Sequence, residues 1–452
     1  MGNLNSEHSR DSGSAFSPVT RRELFAWAMY DFANSGYTTV VLTTIFNAYF
    51  VSVIAGSRVS PGLSTLLWTS AVGIANTMVL ISAPLVGAVA DHWAAKKKFL
   101  LVVTVGCICS TSLLSLTGPG DIGLAMTLLI FSGVLFYSGE NLIAAFLPEI
   151  ASKKQMGRIS GYGWSLGYLG GLLVLAICLV YISWKQGHGY TSAQSVPATM
   201  LIVAAAYALA TIPTFLWLTE RATPFTGARL RDSLPSGFRR LRRTISEAHH
   251  FRDLNRFLIS LTVYHCGINT VVVLAAVYAQ EQMGFTSREI IELIMIVNVT
   301  AALGAFLFGR LQDRLGAVPV LAMTLMLWIA AVTGAFFVTS REGFWIIANL
   351  VGTAMGSSQS GGRALIGQFS PPLRTAEFFG LWGLAVKLST VIGPMSYGII
   401  NYLTAGNHRF AILSTISFFL IGLLLLLRVD EQRGIAAAGR NSKSDEEDHC
   451  IK

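Results

Sequence analysis

The sequence predicts an all-α polytopic membrane protein with twelve transmembrane helices in two pseudo-symmetric six-helix halves. Three observations carry this: an apolar composition, recurrent apolar runs of bilayer length, and a motif that returns at a nearly constant offset. Of the 452 residues, 53% are hydrophobic and 13% charged, with a mean hydropathy of +0.57, whereas soluble domains carry roughly a quarter charged residues. A backbone in lipid must satisfy its own hydrogen bonds, which leaves helices or closed barrels. Apolar runs near helix-spanning length fit helices; a barrel would show short alternating segments.

Taken in order, the apolar runs are 24–55, 65–90, 99–116, 122–147, 159–184 and 197–218, then 256–282, 289–309, 317–338, 343–369, 377–403 and 410–427. The polar stretch between the two sets defines the halves, 21–219 and 256–428, joined by a basic linker over 220–255. The segment 1–20 is Ser-rich and lacks the apolar core of a cleavable signal, so it reads as a disordered tail and the first apolar run as a retained helix. The segment 429–452, with its Asp445-Glu446-Glu447-Asp448 cluster, reads as a second solvated tail.

Basic loops resist translocation. With the N-terminus inside, 26 of the 33 Lys and Arg residues fall on the inner side. The outer loops keep Arg58, Lys185, Arg288, Arg341 and Arg409, while Arg363 and Lys387 lie within spans. Both termini are therefore expected to be cytoplasmic, and the compact loops suggest a bacterial inner membrane. The net charge of +9 reflects these loops and argues for anionic lipid, not nucleic acid, as the partner. Arg239, Arg240, Arg242 and Arg243 in the linker read either as a topological signal or as a basic segment lying on lipid. The five cysteines are scattered without CxxC spacing, so neither a metal site, a cofactor nor a disulfide framework is expected.

The repeat supplies the second level of organisation. Gly87-x3-Asp91 followed by Lys96-Lys97-Lys98 returns 222 residues later as Gly309-x3-Asp313-Arg314. At an offset of 223, Gly139-Glu140-Asn141-Leu142-Ile143-x2-Phe146-x-Pro148 matches Gly362-Arg363-Ala364-Leu365-Ile366-x2-Phe369-x-Pro371. The position of the Gly-x3-Asp pair, between helices 2 and 3 of each half, resembles the major facilitator superfamily. That resemblance covers the whole membrane region and implies its fold, with Gly87, Asp91, Gly309, Asp313 and Arg314 latching neighbouring helices. Ala94 departs from the family's usual glycine, which Gly316 keeps, so the first loop is expected to turn less sharply.

Within the superfamily, Trp27-x2-Tyr30-Asp31-x2-Asn34-Ser35-Gly36-Tyr37 resembles the vacuole-effluxer branch. So do Gly161-x-Gly163-Trp164-x2-Gly167-Tyr168-x-Gly170-Gly171 and Glu377-x2-Gly380-x-Trp382-x4-Lys387. The resemblance implies export of small metabolites, amino acids first among them. Helix 5 lacks the Gly-Pro of drug/proton antiporters, which lowers a multidrug-export reading.

Charges inside a span cost about 2.5 to 3.5 kcal/mol each on insertion scales, so they face partners or a cavity. Helices 3, 6, 9 and 12 carry none in their cores and are expected to face lipid. Asp31, Asn34, Ser35 and Thr38 share one helical face; Asp31 reads either as a proton or amine site or as part of a packing network. Glu140 and Arg363 are pseudo-equivalent and read either as an ion pair across the halves that closes a gate, or as members of pairs within each half. Lys387, near mid-span, suits a substrate carboxylate or a fixed counter-ion. His265 and Asn269 form an i, i+4 pair with a packing alternative. Glu292 sits near a helix end within reach of water.

No Gly-x4-Gly-Lys-Ser/Thr loop supports ATP-driven transport, and no His-Glu-x2-His or Gly-x-Ser-x-Gly supports an enzyme. The expectation is a secondary transporter of small solutes working by alternating access, driven by a gradient of protons or another ion or simply by substrate concentration. A non-transporting receptor or scaffold on the same fold, or a multidrug exporter, is the alternative.

Overall fold

The computed structural model describes residues 19–56, 58–221, 251–404 and 408–450. The N-terminal tail through residue 18, the linker arginines 239 to 243 and the side chains of the Asp445 to Asp448 cluster lie outside the described residues. The helices are α1 (Arg21–Ile54), α2 (Pro61–His92), α3 (Lys96–Leu113), α4 (Ile122–Ala144), α5 (Met156–Gly187) and α6 (Ser192–Trp217) in the first half. In the second they are α7 (Arg252–Met283), α8 (Ser287–Leu315), α9 (Ala317–Phe337), α10 (Arg341–Phe369), α11 (Thr375–Leu403) and α12 (Arg409–Leu426), followed by α13 (Glu431–Cys450).

Among the described residues, eleven helices are long and apolar enough to cross a membrane. The twelfth span, α10, has 29 residues but a Gly- and Ser-rich inner stretch. Its low hydropathy follows from position: from Gly361 to Phe369 every side chain is buried by protein, so lipid never tests its polarity.

Local signals set the helix ends. Thr286 and Glu289 form a reciprocal capping box at the start of α8, and Thr191 with Gln194 does the same for α6. Gly284, at φ +65°, closes α7 in the left-handed conformation that a side chain disfavours. In α1 the regular ladder gives way to wide π turns at Thr38–Thr43 and Phe50–Ile54. The Thr43 and Thr44 hydroxyls both donate to the Thr39 carbonyl, at 2.8 and 2.5 Å, and this competition with the backbone loosens the helix.

Each half is a bundle in which α1 packs on α5 and α6, and α7 on α11 and α12. The halves meet through two equivalent pairs, α5 with α8 and α2 with α11. The helices α3, α6, α9 and α12 find their main partners within their own half. Aliphatic side chains such as Val102, Leu209, Met326 and Leu424 cover their outer faces. Exposed aliphatics also line α2, α5, α8 and α11, for example Ile81, Val180, Leu303 and Met395, so apolar surface is not confined to the four uncharged helices. The starts of α1 and α7, the ends of α6 and α12, and both Gly-x3-Asp motifs share one end of the bundle, the termini face.

Ala94 adopts φ +45°, which places a β-carbon in the left-handed region, within an α2–α3 loop that runs over 93–95 where its counterpart is Gly316 alone, a less abrupt turn as expected. The segment after Leu427 is not simply a solvated tail. Glu431 accepts hydrogen bonds from the backbone N–H groups of Ala317 (2.8 Å) and Val318 (3.0 Å), capping α9. Arg433 clamps the buried Asp253 of α7 through two nitrogens, Nη2 to Oδ1 at 2.7 Å and Nε to Oδ2 at 2.5 Å. These groups supply the reason for docking, since α9 leaves its first N–H groups bare and α7 offers Asp253 only Arg256 at 3.7 Å.

Candidate functional site

Four spans bring opposite charges together between the halves. Arg363 of α10 meets Asp31 of α1, Nη1 to Oδ2 at 2.7 Å, and donates to Ser160 Oγ (3.1 Å) and to the Ser160 carbonyl (2.9 Å) on α5. Its guanidinium stacks between Trp27 and Trp164, 4.7 and 5.3 Å from the ring centroids. Gly163 makes this possible, because a β-carbon there would overlap the Asp31 carboxylate and stand 2.6 Å from Arg363 Nη2. A buried Arg needs such a combination of counter-ion, carbonyl and aromatic faces to offset its desolvation.

Neither reading of Glu140 and Arg363 describes the contact formed: they do not pair with each other, and Arg363 pairs across the halves with Asp31. Arg363 faces α1 and α5, whereas Glu140 on α4 is half-buried, without a direct ion pair among the described residues but within electrostatic reach of Lys387 of α11, Asp31 and Arg363. The Lys387 ammonium rests 3.1 Å from the Tyr137 ring centroid. One ion pair thus crosses between the halves, Asp31 with Arg363, and a second pair of opposite charges, Glu140 and Lys387, interacts at longer range. Around them the indole N–H groups of Trp164 and Trp382, the Tyr168 hydroxyl and the Asn141 amide are buried without a hydrogen-bond partner.

Other candidates are drawn elsewhere. Asn34 accepts from the Tyr207 hydroxyl of α6 (2.6 Å), and Thr38 donates back to the Asn34 carbonyl, so the polar face of α1 splits after Asp31. His265 is buried with Nδ1 3.2 Å from the Leu261 carbonyl. Asn269 donates to Ser389 Oγ at 2.9 Å, tying α7 to α11.

At the termini face the two Gly-x3-Asp motifs act alike, each on the opposite half. Asp91 accepts from the Glu377 N–H at the start of α11 (2.9 Å); Asp313 accepts from the Arg158 N–H at the start of α5 (3.2 Å). Each carboxylate thereby meets the positive end of a helix dipole. The glycines let the helices approach: a β-carbon on Gly87 would strike the Ala376 carbonyl, and one on Gly309 would lie 2.6 Å from the Gly157 carbonyl oxygen. Arg314 is exposed.

Around Asp91 stands a network that the sequence did not single out. Lys96 is fully buried, 3.7 Å from Asp91, paired with Glu149, and donates to Thr375 Oγ1 of the other half at 2.8 Å. Glu149 also accepts from the Arg221 N–H (2.9 Å). Glu220 caps α3 through the Lys96 and Lys97 N–H groups, and Arg221 forms a two-pronged pair with Glu23 at 2.6 and 2.8 Å. The signal was present but faint: Glu149 has Pro372 at its repeat position, an unbalanced charge beside the motif.

The vacuole effluxer Atg22-like family model matches residues 62–439. The MFS-type transporter YxiO of Bacillus subtilis (strain 168) is 27% identical over 410 residues, covering 90% of this chain and 94% of that protein. Autophagy-related protein 22 of Yarrowia lipolytica is 27% identical over 340 residues, or 68% of this chain; the match spans only 56% of the fungal protein. Among solved structures, the human organic anion transporter MFSD10 superposes with a TM-score of 0.69 at 15% identity, over 90% of this chain and 99% of that one. The major facilitator transporter FucP in its outward conformation gives 0.69 at 14% identity, over 90% and 98%. With the paired halves, the reciprocal Asp caps and a family match over most of its length, the chain belongs to the Atg22-like vacuole effluxer family and is an integral membrane transporter of the major facilitator fold.

Proposed function

We propose that the protein is a secondary active transporter that exports amino acids or closely related zwitterions by alternating access, coupled to protons, from a bacterial cytoplasm that holds both chain termini. One observation carries the reading: Lys387 and Glu140, of opposite charge and in opposite halves, lie within electrostatic reach of each other, in a region with buried N–H and O–H donors that lack partners among the described residues. An α-carboxylate suits Lys387 and the indole and hydroxyl donors, and an α-ammonium suits Glu140. Bound between the halves, such a solute replaces the longer-range attraction of that pair with its own two charges.

Asp31 supplies the coupling. Protonating it removes the counter-ion of Arg363, which weakens the link between α1 and α10 while Ser160 and the two tryptophans still hold the guanidinium. Proton binding and substrate binding thereby act on the same contact between halves.

Counterflow of labelled amino acids in proteoliposomes, with an imposed pH gradient, tests this. Flux above empty liposomes that is lost in Lys387→Ala, and loss of pH dependence in Asp31→Asn, are the expected results. Binding without flux supports the receptor alternative. Full pH-dependent flux in Asp31→Asn removes the coupling role.

A further inference from the structure

We infer that the termini face carries a binding site for a phosphate group, in a cleft between the start of α7, the end of α10 and α13. The cleft has a volume of about 220 Å³ and is lined by Phe251, Arg252, Leu254, Phe369, Arg433 and Arg440, with Asp253, Gly434 and Ala437 completing the wall. It stands apart from the central charges and from both Gly-x3-Asp motifs.

Charge makes the argument. Asp253 is the acid of the cleft, and it is spent: it accepts from Arg433 through both oxygens and from the Asp430 N–H at 3.1 Å, and it stands 3.7 Å from Arg256. Arg252 and Arg440 line the same space, are exposed, and have no carboxylate or carbonyl partner among the described residues. Two guanidinium groups lining one cleft, without counter-ions among the described residues, repel each other, and a shared dianion or phosphodiester relieves that repulsion while matching their forked donors.

Shape and level favour phosphate over a simple inorganic counter-ion. The floor is apolar, formed by Phe251, Leu254 and Phe369, so the site has a charged rim above a surface that suits carbon. It lies where α7 begins and α10 ends, which is the level of lipid headgroups, and basic pockets between spans at that level take anionic lipids. The linker of the same chain is a poor occupant, because its arginines carry the same sign. The same chemistry also suits a soluble phosphate compound, and the two sources separate by experiment.

The test uses the full-length protein, wild type and Arg252→Gln/Arg440→Gln, with Lys98→Gln/Lys154→Gln as a control that removes equal charge elsewhere. Arg433 is left alone because it anchors α13. In the first arm, native mass spectrometry from micelles with equimolar phosphatidylglycerol and phosphatidylcholine counts retained lipids. In the second, thermal unfolding in phosphatidylcholine nanodiscs is followed as inorganic phosphate is added. A preference for phosphatidylglycerol that falls about tenfold in the cleft variant but not in the control assigns the site to lipid. Stabilisation by inorganic phosphate that only the cleft variant loses assigns it to a soluble phosphate. If all three proteins behave alike in both arms, the site does not exist.

Discussion

The α2/α11 contact and the α5/α8 contact descend from one repeated motif, yet they are built to different strengths. Both place a glycine against an opposing carbonyl and an aspartate on an opposing helix start. On the first side Asp91 is buried, and a fully buried Lys96 joins it to Glu149 and Thr375. On the second side Asp313 is partly open, and its cation is Arg158, 3.9 Å away with 41% of its side chain exposed. Shared geometry reflects backbone constraints that survive duplication, whereas the counter-ions around it diverged. Removing one partner of a buried pair is far more destabilising than removing one of a screened surface pair, so the α2/α11 side is expected to depend on its charges as a lock and the α5/α8 side to depend on them less, as a looser joint.

The largest effect expected is from Lys96→Met, which leaves Asp91 and Glu149 buried without their cation. Loss of about 3 to 5 kcal/mol should appear as a marked fall in the thermal midpoint in detergent, with Arg158→Met changing it little. Equal shifts in the two variants would erase the distinction between lock and joint.

Next comes the pair Asp91→Asn and Asp313→Asn, read by the distance between spin labels at Lys98→Cys and Arg314→Cys in a cysteine-depleted chain. Asp91→Asn is expected to raise the open fraction at the termini face by roughly tenfold or more, the loss of a charge-assisted bond to a helix start. Asp313→Asn should change it by about twofold, as befits a partly exposed pair. Gly87→Ala and Gly309→Ala sharpen the comparison differently, because the steric element is symmetric. Each should hold its contact apart at a cost of about 1 to 3 kcal/mol, and the same label pair should report similar opening for both.

The smallest effect is a gain. Ala94→Gly removes a β-carbon from a left-handed turn and should stabilise the fold by about 1 kcal/mol, while Gly316→Ala, at φ +95°, should cost a similar amount. A neutral or destabilising Ala94→Gly in thermal melts would mean that the loop relaxes away from this conformation.

The spans were legible because lipid imposes length and apolarity residue by residue, and even the polar α10 announced itself by matching α4 at the repeat offset. The glycine and aspartate of each motif were legible because both copies sit at the same place in their halves. Partners were not. Nothing in a string distinguishes Lys96 from Lys97 and Lys98, and only packing decides that the first is swallowed while Lys98 stays in water. Likewise the repeat aligned Glu140 with Arg363 but said nothing of the room at Gly163 that turns the arginine toward Asp31. The loop at Ala94 was legible too: without the glycine that its counterpart keeps at Gly316, it takes three residues, 93–95, to make the turn.

The docking of α13 also sets an order on biosynthesis. Asp253 and its clamp Arg433 are 180 residues apart, which at roughly 5 to 20 residues per second is on the order of 10 to 40 s of translation. Until those last residues leave the ribosome, Asp253 of α7 has only the longer Arg256 contact of its own helix and α9 begins with bare N–H groups. The second half is thus completed from its own far end, and a chain that stops short of Glu431 leaves the insertion machinery with every span made and two of them unfinished.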